Sequence, residues 1–390
     1  MKQRLTLLTL FAASITCGGG GNPGGVDADV SDTYDRTALL QNVVSAIIVP
    51  LYQQFEDDAT ALDGAVSAYC AALGTADEAT SLDAAQSAWR VAMATWQRAE
   101  LTQIGPTAAS GDALRDAIYS WPIVSTCAVD REVVALRNDP TGYDIKTRLA
   151  NRRGLDVLEY TLFGATLEAT CLVEGWDALD DSQRRAARCA YATVVAGDLV
   201  DQADALVAAW SGDAGFAATL IAAGAPGSEL ASAHDGVDAV FGGLFYLDTY
   251  SKDRKLAAPL GLRANTCSAA IGTVCPADLE SQHAGQVGPN LAANLAGFRA
   301  LFLGGEGEGF DDFLRARGAD VLADQIIAAL DTADASLDGV QGSFADLLGS
   351  DPARIEAVHT DVREVTTKLK TEMPATLGLT IPDEAGGDTD

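Results

Sequence analysis

Apolar residues recur at three- and four-residue steps along nearly the whole chain, the period of a helix that turns one face to a core. Leu40, Val43, Ile47, Leu51 and Phe55 form one such stripe. Pro50 removes a backbone donor inside it, so the helix should kink or break before the pattern resumes at Leu62, Val66 and Tyr69. A second stripe of Leu82, Ala85, Trp89, Ala92 and Trp96 puts both tryptophans on one face, as core packing requires. The segment IYSWP, residues 118–122, ends another helix at a proline. Further helices are expected over 144–163, 181–210, 229–250, 289–303, 310–348 with at least one break, and 353–373. Sustained period-two alternation is missing, so the fold class is all-α, and the helices suit two helical-bundle domains of about four helices each, packed side by side. The Gly- and Ala-rich stretch 211–227 is the natural seam. It divides an N-terminal bundle at 34–212 from a C-terminal bundle at 213–380, with an acidic tail at 381–390.

The 390 residues suffice for two such domains. Lys and Arg number 26 against 55 Asp and Glu, a formal net charge of −29 that repels phosphate backbones. No nucleic-acid partner is expected. The N-terminus reads MKQRLTLLTLFAASITC: two cations, an apolar run of about a dozen residues, small residues, then Cys17. That run is short of the ~20 residues of a spanning helix, so residues 1–17 read as a signal peptide. The cysteine and the following GGGGNPGG resemble a bacterial lipoprotein signal, although Ser14, Ile15 and Thr16 depart from its preferred residues. Cys17 is then the lipidation candidate, and 18–33 a Gly-rich tether. The expected address is the cell envelope, on the periplasmic side or at the outer membrane, with membrane contact only through a lipid anchor.

Cys17 apart, six of the seven cysteines remain, an even count that favours disulfides in an exported chain. Short separations close most easily, which points to Cys171–Cys189 and Cys267–Cys275 and leaves Cys70–Cys127. The CxxC-like spacing of a cysteine metal site is missing.

One segment breaks the core pattern. In DIKTRLANRRGLDVLEYTLFG, residues 144–164, a helical projection groups Ile145, Leu149, Arg152, Asp156, Glu159 and Phe163 in one sector. Two carboxylates thus share a face with apolar side chains, and buried carboxylates need a cation, a metal or a donor. Arg152, one turn before Asp156, offers an ion pair, with Arg153 close by. The three-residue spacing of Asp156 and Glu159 also suits a hard divalent or ferric metal ion, completed by ligands from other helices. Glu100, His283, Asp248 and Asp253 are candidate co-ligands, each with a plainer reading as a loop charge or cap. Arg90 and Arg115 could clamp an anion or pair with the carboxylates.

The stretch GLDVLEYTLFG, residues 154–164, resembles the GxHxxE signature of the imelysin-like family, with Asp156 where the signature has His and Glu159 retained. In the same order AWRVAMATWQRAE (88–100), AIYSWP (117–122), KLAAPLG (255–261), the Glu-Ser start of ESQHAG (280–285), NLAGFRALFLGG (294–305) and LGL (377–379) are similar to segments of that family. The resemblance spans about residues 40–380. It implies an all-helical, exported bacterial protein, often lipid-anchored and linked to iron uptake or regulation, with some members called metallopeptidases. The Asp at the His position shifts any site towards oxygen ligands.

The first functional reading is a non-catalytic binding protein for a metal ion or metal complex in iron acquisition or regulation, with a cleft lined by Asp156, Glu159 and Arg90. The second is a docking module without a small ligand whose acidic surface meets an envelope protein. The third is a metallopeptidase, which the missing HExxH and the absence of any His before His234 disfavour.

Overall fold

A computed structural model describes residues 34–386, whose regular structure is helical, with no strand among the described residues. The expected signal peptide, Cys17 and the expected 18–33 tether lie outside the described residues, as do residues 387–390. The first half runs through α1 (Arg36–Asn42), α2 (Val49–Ala72), α3 (Glu78–Ala99), α4 (Ala109–Ile118), α5 (Thr126–Asn138), α6 (Leu155–Phe163) and α7 (Asp181–Trp210). The rest comprises α8 (Phe216–Ile221), α9 (Ala233–Leu244), a π-helix at Leu247–Ala257, α10 (Ala258–Leu260), α11 (Val287–Leu303), α12 (Phe310–Ala316), α13 (Asp320–Asp338), α14 (Phe344–Ser350), α15 (Pro352–Leu377) and α16 (Asp383–Gly386).

The stripes do what their spacing demands. Ala85, Trp89, Ala92 and Trp96 are fully buried along α3, which packs against α2, α6 and α11. Pro50 does not break its helix; a π-helical stretch, Val43–Ile48, widens the backbone just before it, and α2 continues. By length and composition Arg36–Ala72 would pass as a membrane span, but Leu39, Val43, Phe55, Leu62 and Val66 are buried inside the protein. An Asp180–Gln183 capping box starts α7 and a Ser232–Asp235 box starts α9.

In the first half α2, α3, α6 and α7 pack on one another, and in the second α13 packs on α15, and α11 and α15 on the π-helix. Helix α3 also lies against α11, so the described residues make one compact unit. Gly297 permits that approach: a Cβ there would stand 2.6 Å from the Arg98 carbonyl oxygen. A division into two bundles near residue 213 stays a proposal. The expected seam holds α8, whose Phe216 ring sits edge-on to Trp210 at 5.2 Å. The tail is less free than its charge suggests, because Ala385 is buried and the Thr380 N–H donates to Asp238 at 2.8 Å.

Two expectations are corrected. Residues 144–153 are not α-helical; they form two 3-10 turns, Ile145–Thr147 and Ala150–Arg152, and α6 begins only after Gly154. Gly154 has φ 86° and ψ −167°, a backbone region open to glycine alone, which ends any projection carried through it. The cysteines pair as Cys70–Cys189, Cys127–Cys171 and Cys267–Cys275, so only the last matches expectation. Packing outweighs sequence distance. Helices α2 and α7 are neighbours and bring Cys70 to Cys189 with Cα atoms 5.5 Å apart. The 164–180 loop folds over α5, where the Thr170 N–H donates to Asp130 at 2.9 Å, and this carries Cys171 to Cys127.

Peptide mapping without reductant should therefore recover Cys70 linked to Cys189 and Cys127 linked to Cys171. Replacing Cys70 and Cys189 by Ala should lower unfolding free energy by roughly 4 kcal/mol, from the long loop that bridge closes. Recovery of Cys171 joined to Cys189 would contradict the arrangement.

Candidate functional site

Gly154 lets the chain press the start of α6 against the carbonyls of Ala117 and Ile118, and a Cβ there would collide with that backbone. The Trp89 indole N–H donates to the Leu155 carbonyl at 2.9 Å and fixes the same turn to α3. Asp156 and Glu159 are thereby carried inside, 4% and 5% exposed. Asp156 Oδ2 accepts from the Ser120 backbone N–H at 2.6 Å and from its hydroxyl at 3.0 Å. Glu159 Oε1 accepts from the N–H groups of His283 and Ala284 at 2.8 and 2.9 Å. Two adjacent N–H groups converging on one oxygen form an anion nest, in a loop turned by Ser281 at φ 46°. One helix thus latches the 117–122 turn with one carboxyl and the 280–285 loop with the other.

Burial dominates the acidity of both. It pushes Asp156 up to about 7, against the opposing pull of the Ser120 hydrogen bonds. It pushes Glu159 up to about 8, against the Ala284 N–H and with the push of the Asp156 charge.

Next to this latch lies a fully buried polar cluster. The π-helix turns Lys255 inward, where its ammonium donates to Glu100 Oε2 at 3.0 Å and Asn294 Oδ1 at 2.9 Å, and also to Gln97 Oε1. It pairs with Glu280 Oε1 at 3.0 Å. Glu280 further accepts from Tyr119 at 2.7 Å, Gln97 at 3.0 Å and Asn290 at 3.0 Å. Asn294 donates to Glu100 Oε2 at 3.2 Å and to the Gln97 carbonyl at 2.7 Å. Two carboxylates face one lysine, and burial holds the Glu100 acid above its ordinary range despite the ammonium beside it.

The other expected residues are spread out. Arg152 pairs with Glu132 and Arg153 with Asp198, so neither reaches Asp156. The lost helical register before Gly154 removes the one-turn relation on which that pairing rested. Arg90 lies over the Phe163 ring at 4.9 Å and makes no ion pair with either carboxyl among the described residues. Arg115 holds Asp116 at 2.8 Å and stands over Tyr250 at 5.1 Å. Glu100 is committed to Lys255. His283 offers Glu159 its backbone, while its ring packs 5.4 Å from Tyr160. Asp248 and Asp253 both pair with Lys252, at 2.8 and 3.2 Å.

Among the described residues no group of three His, Cys, Asp or Glu side chains is placed to hold a metal ion. Asp156 and Glu159 do not fit one either: each spends an oxygen on N–H donors, and burial raises both above the ordinary carboxylate range. A cavity of about 1250 Å³ has Arg254 and Arg263 in its wall with Asp112, Asp253 and Asp278, beside Trp121, Pro122 and Tyr250, and its lining does not include Asp156, Glu159 or Arg90. Its lining adjoins two site segments in sequence, since Trp121 follows Ser120 and Arg254 precedes Lys255.

Sequence reasoning passed over Lys255, Glu280, Gln97, Asn290, Asn294, Tyr119 and Ser120. A signal existed. Asn290 and Asn294 sit one turn apart in the apolar run VGPNLAANLAGF, and Gln97 follows a buried tryptophan. More telling, the segments that carried the family resemblance supply Gln97 and Glu100, Tyr119 and Ser120, Asp156 and Glu159, Lys255, Glu280 and Asn294, all at one place.

The family model described as imelysin (peptidase M75) matches residues 48–371. A solved imelysin-like protein from Psychrobacter arcticum 273-4 superposes with a TM-score of 0.67 at 21% identity, over 89% of this chain and 96% of that one. A provisionally named iron-regulated protein A precursor from Parabacteroides distasonis ATCC 8503 gives a TM-score of 0.67 at 13% identity, over 88% of this chain and 95% of that one. At such identities these likenesses show the fold. No curated protein matches the chain in sequence.

The latch has a pH signature. Both acids titrate higher in the folded protein than in the unfolded chain, so their stabilising effect is complete below about pH 4 and is lost as pH rises through 7 to 8. Urea melts at pH 5 and pH 8.5 should show the wild type losing roughly 6 kcal/mol more than the Asp156→Asn/Glu159→Gln variant on the alkaline step, about half from each acid. Equal losses would contradict buried, proton-holding acids.

Proposed function

The chain belongs to the imelysin family, and on that premise we propose that it is an exported, non-catalytic binding protein of the cell envelope that serves iron handling by taking up an anionic metal complex. The observation that carries this reading is the internal cation. Lys255 already occupies the space among the oxygens of Glu100, Glu280, Gln97 and Asn294 that a hard metal ion would need. A bare ion has no vacant carboxylate set here, whereas the 1250 Å³ cavity beside the cluster is large enough for a chelate. Arg254 lines it with its guanidinium over the Tyr250 ring at 4.7 Å and no carboxylate partner among the described residues, a suitable contact for an anionic chelate. The iron-regulated name of one structural neighbour and the lipoprotein-like N-terminus agree with the proposed setting. The missing HExxH supports the non-catalytic role over the family's peptidase label.

Titration calorimetry of the mature protein with ferric citrate should show saturable binding that Arg254→Ala weakens about tenfold. Mass spectrometry should find no stoichiometric iron or calcium retained from the simple salts. Stoichiometric uptake of bare ferric ion, abolished by Asp156→Asn/Glu159→Gln, would return the site to a metal centre. Binding of neither ion nor chelate would favour a docking module without a small ligand.

A further inference from the structure

A second cavity, of about 460 Å³, lies between α2, α3 and α11, remote in sequence from the elements of the larger one. Its walls are apolar, with Ile47 from the π-helical stretch before Pro50, Leu51, Val91 and Leu301. Its polar part is small and ordered. Asp58 is 8% exposed, accepting from Gln54 Nε2 at 2.9 Å and from the Thr95 hydroxyl at 2.6 Å. The same Thr95 oxygen accepts from Arg98 Nη2 at 3.1 Å. One hydroxyl therefore stands between a carboxylate and a guanidinium, both of which line the cavity.

Neither charge has a direct ion-pair partner, and the two face each other only across the Thr95 hydroxyl. Among the described residues Asp58 has no Lys or Arg partner and Arg98 has no Asp or Glu partner. A nearly buried carboxylate is ordinarily paired with a cation. Their separation by one hydroxyl group matches a ligand that carries an ammonium and a carboxylate on the same carbon. The apolar walls match a hydrocarbon side chain on that ligand.

We propose that this cavity is a binding site for a free α-amino acid with an apolar side chain, its ammonium on Asp58, its carboxylate on Arg98 and its side chain against Ile47, Leu51, Val91 and Leu301. Gln54 and Thr95 hold the Asp58 oxygens in place, and the close approach of α11 at Gly297 closes the floor beside Arg98. The site is independent of the iron reading, because it shares no residue with the Lys255 cluster or the larger cavity.

Calorimetry of the full chain with L-leucine and L-phenylalanine tests this directly. Saturable binding is expected, with isoamylamine, which lacks the carboxylate, and isocaproate, which lacks the ammonium, each at least tenfold weaker than leucine. Asp58→Asn should weaken leucine about tenfold and remove its advantage over isocaproate. Arg98→Gln should do the same relative to isoamylamine, and it serves alone if Asp58→Asn fails to fold. A purely structural Asp58–Thr95–Arg98 relay would leave these analogue ratios unmoved. The proposal is overturned if neither amino acid binds at millimolar concentration, or if leucine binds equally well to the wild type and the folded variants.

Discussion

The Lys255 ammonium, buried with two carboxylates and two side-chain amides, is the interaction on which the rest of the site depends. Its partners come from α3, the 280–285 loop and α11, so a single cation draws both halves of the chain to one point. Removing it would leave Glu100 and Glu280 together in a low-dielectric interior, where like charges repel and cannot reach water. The acids of α6 act by another route. They take N–H donors from the flanking segments and meet burial by holding protons.

This division gives Asp156 a structural role of its own. The Asp156 carboxyl accepts both donors of Ser120, so the turn that ends in Trp121 and Pro122 is held from below. Trp121 and Pro122 line the large cavity together with Tyr250 and Arg254 of the π-helix. The buried cluster is in this sense the foundation of the cavity.

Much of the fold was legible because helical periodicity is a local property. The 181–210 and 289–303 stripes became α7 and α11 with little change at their ends. The failures came where tertiary contact overrode local pattern. Gly154 stopped a projection that treated 144–163 as one helix, and the fold of the 164–180 loop joined cysteines far apart in sequence in preference to near ones. At the site, Asp156 and Glu159 were legible as carboxylates among apolar neighbours, and Glu100 as the end of a buried stripe. Their partners were not, since the Lys255 contact crosses 155 residues to Glu100 and the Glu159 contacts use backbone N–H groups that every residue carries. Residue type alone cannot announce a backbone donor. The ordered family segments did point to the place, because they converge on it even where their individual roles could not be read.

The measurement that bears most directly on this account is the stability of Lys255→Met alone and combined with Glu100→Gln, by urea unfolding at pH 7. Loss of the buried cation should lower unfolding free energy by about 3–5 kcal/mol. Neutralising Glu100 in the same chain should restore more than half of that loss, because one of the two stranded carboxylates is gone. A loss below about 1 kcal/mol, within the range of an exposed ion pair, or no recovery in the double variant, would contradict the claim that this internal cation holds the site together.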